Sequence, residues 1–241
     1  MNLAHALLGM AEVRRFRAPL TLEGSSFTTD GRGTLLALAA AVFDPVRNPG
    51  LAPLEAFGVF QDWLGVARVI WLPEAHPDDA LLTDVRALAA FVAPGVVAIT
   101  DPASGPAAAK VAGHLARPRD AQGNVLGLVR LPAAPPAPQP LSYTQFLPVN
   151  GGLLVPAFDL AGDARAAEIL AEHLTDRRVQ LVPMAPLIAA GINLTAATLP
   201  QPARLLERER ATVLPRSAWS QPVYDVEELL QHYIDLADSN E

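Results

Sequence analysis

Cysteine is absent from all 241 residues. That one absence removes disulfides, thiolate-held zinc and thiol nucleophiles together. Lysine is reduced to Lys110 alone, and 25 acidic side chains stand against 18 basic ones, for a formal charge of −7. An acidic chain with no basic stripe does not fit nucleic-acid binding. Aromatic residues make up only 6%, so leucine, valine and alanine must do most of the packing. No apolar run approaches the roughly 20 residues needed to cross a bilayer.

The N-terminal run MNLAHALLGMAEVRRF has no positive region ahead of its apolar residues. It therefore reads as an amphipathic helix over 1–16 rather than a secretory leader, with Leu3, Leu7, Met10 and Val13 on one stripe. The expectation is a soluble, cytoplasmic chain with no cofactor.

What the sequence does contain is a repeated order of events. The first segment opens with LTLEGSSFT, turns at Asp30-Gly31 and returns as GTLLALAAAVF; a helical pattern from Leu54 to Leu64 and the strand ARVIWLP follow. The second opens with VRALAAFV, turns at Pro94-Gly95, returns as VVAIT, and continues with the helix PAAAKVAGHLA and the strand NVLGLVRL. The third opens with SYTQFLPV, turns at Asn150-Gly151-Gly152, returns as LLVPAF, and continues with ARAAEILAEHL and RVQLVPM. Each unit reads strand, tight turn, strand, helix, strand. Asp-Gly and Asn-Gly supply the positive-φ residues that two-residue hairpin turns need. Units of this size bury their open faces by stacking on neighbours.

LPAAPPAPQP (131–140) predicts a stiff connector before the third unit. Beyond Gln201 the chain becomes charged and ends in VEELLQHYIDLAD. There Asp225 and Glu228 form a capping-box pattern, and Leu229, Leu230, Tyr233 and Leu236 give an apolar face. Two regions are expected: an α/β domain over 1–200, and a tail over 201–241 whose helix packs on the domain or on a partner.

Five blocks carry a resemblance: LEGS (22–25), RNPG (47–50), WLGVARVIWLP (63–73), FVAPGVV (91–97) and SYTQF…NGGLLVPAF (142–158). In order, they resemble the agmatine deiminase family, which includes the bacterial, Porphyromonas-type peptidyl-arginine deiminases. The resemblance implies a pentein-like α/β propeller, a fan of five strand-strand-helix-strand units around a central funnel. About three of the five are visible here. It also implies a chemistry: a Cys thiolate attacks a guanidinium carbon, a His acts as general acid and base, and two acidic residues grip the cation.

Carried over position by position, the implied site is nearly empty of reactive groups. The family's closing motif, Gly-Gly-Gly-Asn-Ile-His-Cys-Ile-Thr-Gln-Gln, matches IAAGINLTAATLP (188–200). Anchored on Pro200, its Cys falls on Leu194 and its His on Asn193; a one-residue shift moves the Cys to Thr195. The Gly-His-Val-Asp motif, counted back from Phe91, places its His on Asp84 and its Asp on Arg86. The Asn after Ser-Tyr becomes Gln145. The Trp-x-Arg-Asp-x-Gly-Pro motif has no counterpart, and only Glu23 is kept in kind. An Arg86 aimed into the funnel would repel a second cation by about 4 kcal/mol at ~4 Å in an effective dielectric of about 20; the alternative has it turned outward to a carboxylate.

Other chemistries fare no better. His76, Asp78, Asp79 and Asp84 look like a hard-metal cluster, but they lie on one acidic segment where metal sites need converging elements, so no metal site is expected. Thr195 lacks an adjacent base, since His114 and His173 fall in helical runs on the outside of the fan, and His5 and His232 fall in terminal helices. The expectation is a truncated, catalytically inactive relative of the deiminases, retained for structure, assembly or ligand binding. The alternatives are a divergent hydrolase of guanidine C–N bonds and a sensor that binds an anion through Arg86, with Arg47 assisting. Three units cannot close a five-unit ring, so the terminal helices, a second copy in a homodimer or a protein partner is expected to cover the open edges.

Overall fold

The computed structural model describes residues 18–72, 84–134, 141–149, 151–174, 177–189 and 192–194. The expected N-terminal helix and the tail lie outside these residues, as do Thr195, the acidic segment 73–83 and most of the proline-rich connector.

Three small sheets repeat one topology. The first holds β1 (Phe27–Thr29), β2 (Thr34–Leu38) and β3 (Arg68–Leu72); the second β4 (Ala89–Ala93), β5 (Val96–Thr100) and β6 (Gly127–Leu131); the third β7 (Leu147–Val149), β8 (Gly152–Ala157) and β9 (Arg178–Pro183). In each the middle strand pairs antiparallel with the strand before it and parallel with the strand after it. A parallel partner requires a crossover, and each unit supplies a helix. After the short helix α1 (Ala39–Val42) come α2 (Pro53–Leu64), α3 (Pro106–Leu115), α4 (Ala161–His173) and the short α5 (Ala185–Ala189).

Helix ends follow from local chemistry. Helix α2 starts with Pro53 in its first turn, and Glu55 reaches back to the Ala52 N–H at 3.1 Å. It stops at Gly65, whose φ of 68° permits the left-handed cap. The middle strands run TLLAL, VVAIT and GLLVPA because a strand covered on both faces has no polar side.

The covering is sequential. Leu36, Leu38, Ile70 and Leu72 of the first sheet share a core with Phe91, Val97 and Ile99 of the second and with Val111 and Leu115 of α3. The second sheet's other face, Ala98, Val129 and Leu131, packs with Leu153 and Val155 of the third and with Ala166 and Leu170 of α4. Each later unit thus lays its helix against the sheet before it. The remaining face of the first sheet, Leu35 and Ala37, is closed by Ala56 and Phe60 of α2. Each fully buried leucine contributes roughly 1.5–3 kcal/mol relative to exposure, so these three layers dominate the stability of the array.

Two details correct the sequence reading. The first hairpin has no two-residue turn: β1 ends at Thr29 and β2 begins at Thr34. Asp30 Oδ1 accepts from Arg32 N (2.7 Å) and Thr34 N (2.9 Å), holding a wider loop with Gly31 and Gly33 at positive φ. The Pro94-Gly95 turn is tight, with Gly95 at φ 69°. The second unit's opening strand and the first unit's returning strand are also shorter than their apolar runs, since Val85–Ala87 forms a 3-10 turn and Ala39–Val42 a helical one.

Candidate functional site

Four loop segments meet at the ends of the strands: the LEGS loop, the turn at 84–86, the SYTQF turn, and residues 192–194 following α5. Val85 N–H donates to Ser25 O at 2.8 Å, fixing the first of these to the second. Ile192 N–H donates to Leu187 O at 3.0 Å, which brings the last segment back from the helix.

Asp84 is the hub. It is 5% exposed and begins the 3-10 turn, its Oδ1 accepting from Arg86 N at 2.9 Å. Its Oδ2 accepts from Gln145 Nε2 at 3.0 Å and from Asn193 Nδ2 at 3.0 Å. Gln145 is oriented by its own turn, where its Oε1 accepts from Ser142 N at 3.2 Å. A chain of hydroxyls runs alongside: Thr100 Oγ1 to Ser142 Oγ at 3.2 Å, Ser142 Oγ to Thr144 Oγ1, and Thr144 Oγ1 donating to Arg86 O at 2.6 Å. The sequence reading did not pick out this hydroxyl chain. Its signal is the Ser-x-Thr spacing inside SYTQF, which sets two hydroxyls on one side of a turn.

Three of the residues read as remnant positions therefore converge: Asp84, Gln145 and Asn193. Leu194 follows directly and is buried at 5% exposure. Arg86 is half-buried beside them, and among the described residues its guanidinium makes no ion pair. Glu23 does not join the cluster. It pairs instead with Arg47 at 3.1 Å, both largely exposed, and Arg47 lies 3.7 Å from Asp44. The RNPG block is structural on the same evidence: Asn48 Nδ2 donates to Thr21 O and Val42 O, each at 2.8 Å, and Asn48 Oδ1 accepts from Thr21 N at 2.7 Å.

The arrangement has little chemical capacity. Both Asp84 oxygens are engaged, and the chain of hydroxyls ends on a backbone carbonyl rather than on a base, which a hydroxyl nucleophile requires. His114 and His173 sit in the last turns of α3 and α4. Among the described residues no group of His, Asp and Glu is placed to hold a metal ion, and no helix is long and apolar enough to cross a membrane.

A second buried carboxylate braces the third unit. Asp163 accepts from Tyr143 Oη at 2.7 Å, from Phe158 N at 3.0 Å and from Leu160 N at 3.1 Å. Burial pushes the Asp163 carboxyl up, but these hydrogen bonds outweigh it and hold it below the usual carboxylate range. Burial first, then the bond to Asp163 and its charge, push the Tyr143 phenol well above its ordinary range.

Three sheets of this topology, with their loops converging on Asp84, define a partial α/β propeller, and the sequence holds no thiol. The model of the Porphyromonas-type peptidyl-arginine deiminase family matches residues 1–202, and the chain belongs to that family. It is 30% identical over 235 residues to the agmatine deiminase of Pseudomonas putida, covering 84% of this chain and 63% of that protein. It is 31% identical over 234 residues to the agmatine deiminase of Pseudomonas aeruginosa, with the same coverage. The solved agmatine deiminase of Enterococcus faecalis superposes with a TM-score of 0.68 at 25% identity, over 79% of this chain and 60% of that one. The fold is a partial pentein-like propeller, and the chain spans less than two thirds of the length of these relatives.

Proposed function

We propose that the chain is a catalytically inactive member of its family, retained as a structural, assembly or ligand-binding protein in the cytoplasm. One observation carries this reading: the carboxylate of Asp84 is occupied by the side-chain amides of Gln145 and Asn193. The resemblance puts the family's acid-base His at Asp84 and its guanidinium-binding Asp at Arg86. Here the Asp84 position holds a carboxylate taken up by the protein's own amide N–H groups, and buried Leu194 stands where the nucleophile is expected. Losing a nucleophile typically lowers turnover about a millionfold.

The decisive experiment incubates the purified chain with agmatine or an arginine peptide and measures ammonia and the urea product, beside an active agmatine deiminase. No turnover above background is expected. Turnover that disappears in Asp84→Ala establishes the rival reading, a divergent guanidine hydrolase. A second reading, anion binding, is favoured by the half-buried Arg86 guanidinium and its lack of an ion pair among the described residues; a thermal-shift titration with phosphate, compared with Arg86→Gln, tests it. Assembly is part of the same proposal. A second copy or a protein partner covers the first-unit end, where Val46, Leu54, Trp63 and Leu64 are exposed, and light scattering measures the resulting mass.

A further inference from the structure

Acidic side chains outnumber basic ones in this chain, yet the fold gathers arginines at one end. In each unit the hairpin turn and the start of the third strand lie together, at the end opposite Asp84. Asp84 leads into β4, which begins beside the far end of β5, with Ala89 opposite Ile99. At the turn end Arg68 opens β3, its N–H donating to Gly33 O at 3.0 Å. Two loops interlock there: Ala121 N–H donates to Thr34 Oγ1 at 3.0 Å, and Gln122 Nε2 donates to Arg32 O at 2.7 Å. Arg119 stands just before β6, its Nη1 donating to Gly123 O at 2.8 Å. Arg32, Arg68 and Arg119 are thus drawn around one pair of loops from positions far apart in sequence, with Arg117 two residues before the last.

Their charge is left unbalanced. Arg32, Arg117 and Arg119 are exposed, Arg68 is half-buried, and none makes an ion pair among the described residues. Arg47, near the other end, has two carboxylates. The acids beside the arginines serve their own loops. Asp30 Oδ1 accepts from Arg32 N and Thr34 N, and Asp120 Oδ1 accepts from Gln122 N at 2.9 Å and Asn124 N at 2.7 Å. Asp62, exposed in the last turn of α2, is already engaged. Helix dipoles do not account for the arginines, because the effect fades beyond a helix's last turn and Arg32, Arg68 and Arg119 lie in no helix. Apolar side chains adjoin them. Trp63 and Leu64, 45% and 48% exposed, end α2 next to these loops, where Ala67 N–H donates to Gly33 O at 2.8 Å.

We propose that this end binds an acidic protein segment with apolar side chains set between its carboxylates. Guanidinium groups pair with carboxylates bidentately, and tryptophan and arginine are the side chains that carry protein interfaces. A nucleic acid fits less well. Its duplex bears one charge per about 1.7 Å, so the chain's net −7 opposes it more than a short peptide. The inference rests on the assembly reading above, not on catalytic silence, and names the class of partner.

A short fluorescein-labelled peptide of repeated Glu-Glu-Leu, titrated with the full chain and read by anisotropy, tests this. Saturable binding that weakens as salt rises is expected. Arg32→Glu/Arg117→Glu is expected to weaken it about tenfold or more. Arg130→Glu/Arg165→Glu makes the same change in net charge at exposed positions away from the turn end, and is expected to weaken it by less than about twofold. Melting temperatures confirm that both variants are folded. Absence of saturable binding overturns the proposal, as does equal weakening by the two variants. A labelled single-stranded oligonucleotide that binds more tightly than the peptide, and is lost in Arg32→Glu/Arg117→Glu, overturns it too and assigns this end to nucleic-acid phosphates. Light scattering keeps the two readings apart: a dimer that binds no peptide overturns this proposal and leaves the assembly reading standing.

Discussion

Asn193 donates its side-chain amide to Asp84 Oδ2 at 3.0 Å, across 109 positions of sequence. With Gln145 on the same oxygen, this contact joins the closing segment of the third unit to the turn that opens the second. The carboxylate is buried, so every donor it loses leaves a charge-bearing group short of a partner inside the protein. Hydrogen bonds to charged groups are worth about 1.5–3 kcal/mol. Asn193→Ala is therefore expected to destabilise the fold by about 1–3 kcal/mol, and Asp84→Ala, which orphans two amides and the Arg86 N–H, by about 3 kcal/mol or more. The double variant is expected to lose less than the sum, since the residues share one network. Urea unfolding of the four proteins measures this, and strict additivity would contradict the network.

Restoring sulfur should not restore chemistry. Leu194→Cys places a thiol at the expected nucleophile position, but that position is buried and its neighbour Asp84 is held by three donors. No imidazole is positioned there among the described residues to draw off the thiol proton, and a thiol buried among apolar groups is a poor nucleophile. The variant is expected to titrate slowly with a thiol reagent and to release no ammonia from agmatine. Measurable ammonia release from Leu194→Cys would mean that the remaining shell is still catalytic.

Much of the architecture was legible in the sequence, and the reasons are specific. Gly31, Gly95 and Gly151 mark the three hairpins because each takes positive φ, with values of 72°, 69° and 74°. TLLAL and VVAIT read as strands because burial on both faces leaves no polar positions. The wider first turn was not legible, since it depends on one Asp30 oxygen taking two backbone N–H groups, a geometry that a dipeptide signal does not carry. The site was legible as a set of missing groups: Asp84, Asn193 and Leu194 were read for what they replaced. That Asp84 draws Gln145 and Asn193 together is a long-range contact with no local signature. The bond from Tyr143 to Asp163 escaped for the same reason; only the aspartate in the first turn of a helix can be read locally.

Gly162 illustrates how tightly that corner is built. A Cβ there would lie 2.9 Å from Tyr143 Oη and 3.5 Å from Pro132 Cβ. Tyr143 is fully buried, so its ring has nowhere to retreat without breaking the bond to Asp163. Overpacking of this kind costs about 1–3 kcal/mol. Gly162→Ala is expected to lower the melting temperature despite alanine's better helix propensity. Adding Tyr143→Phe removes the oxygen that the new methyl meets and should recover part of the loss. A stabilised Gly162→Ala would show that the corner is looser than the contact implies.

The same carboxylate sets an acid limit on the fold. Asp163 has its carboxyl held below its unfolded value, which lies near 4. Burial alone acts in the opposite direction, so the depression reflects the Tyr143 and backbone donors around it. A group depressed on folding binds fewer protons in the native state than in the unfolded one, so its contribution is fully present above about pH 4. It is lost as the pH falls through the lower native value. Asp163→Asn should be destabilised at pH 7, and the gap between variant and parent should narrow as the pH drops from about 5 to 3. Melting temperatures of both proteins across that range measure the difference. A gap that stays constant would mean that Asp163 titrates alike in the folded and unfolded chain, and that its bonds favour neither protonation state.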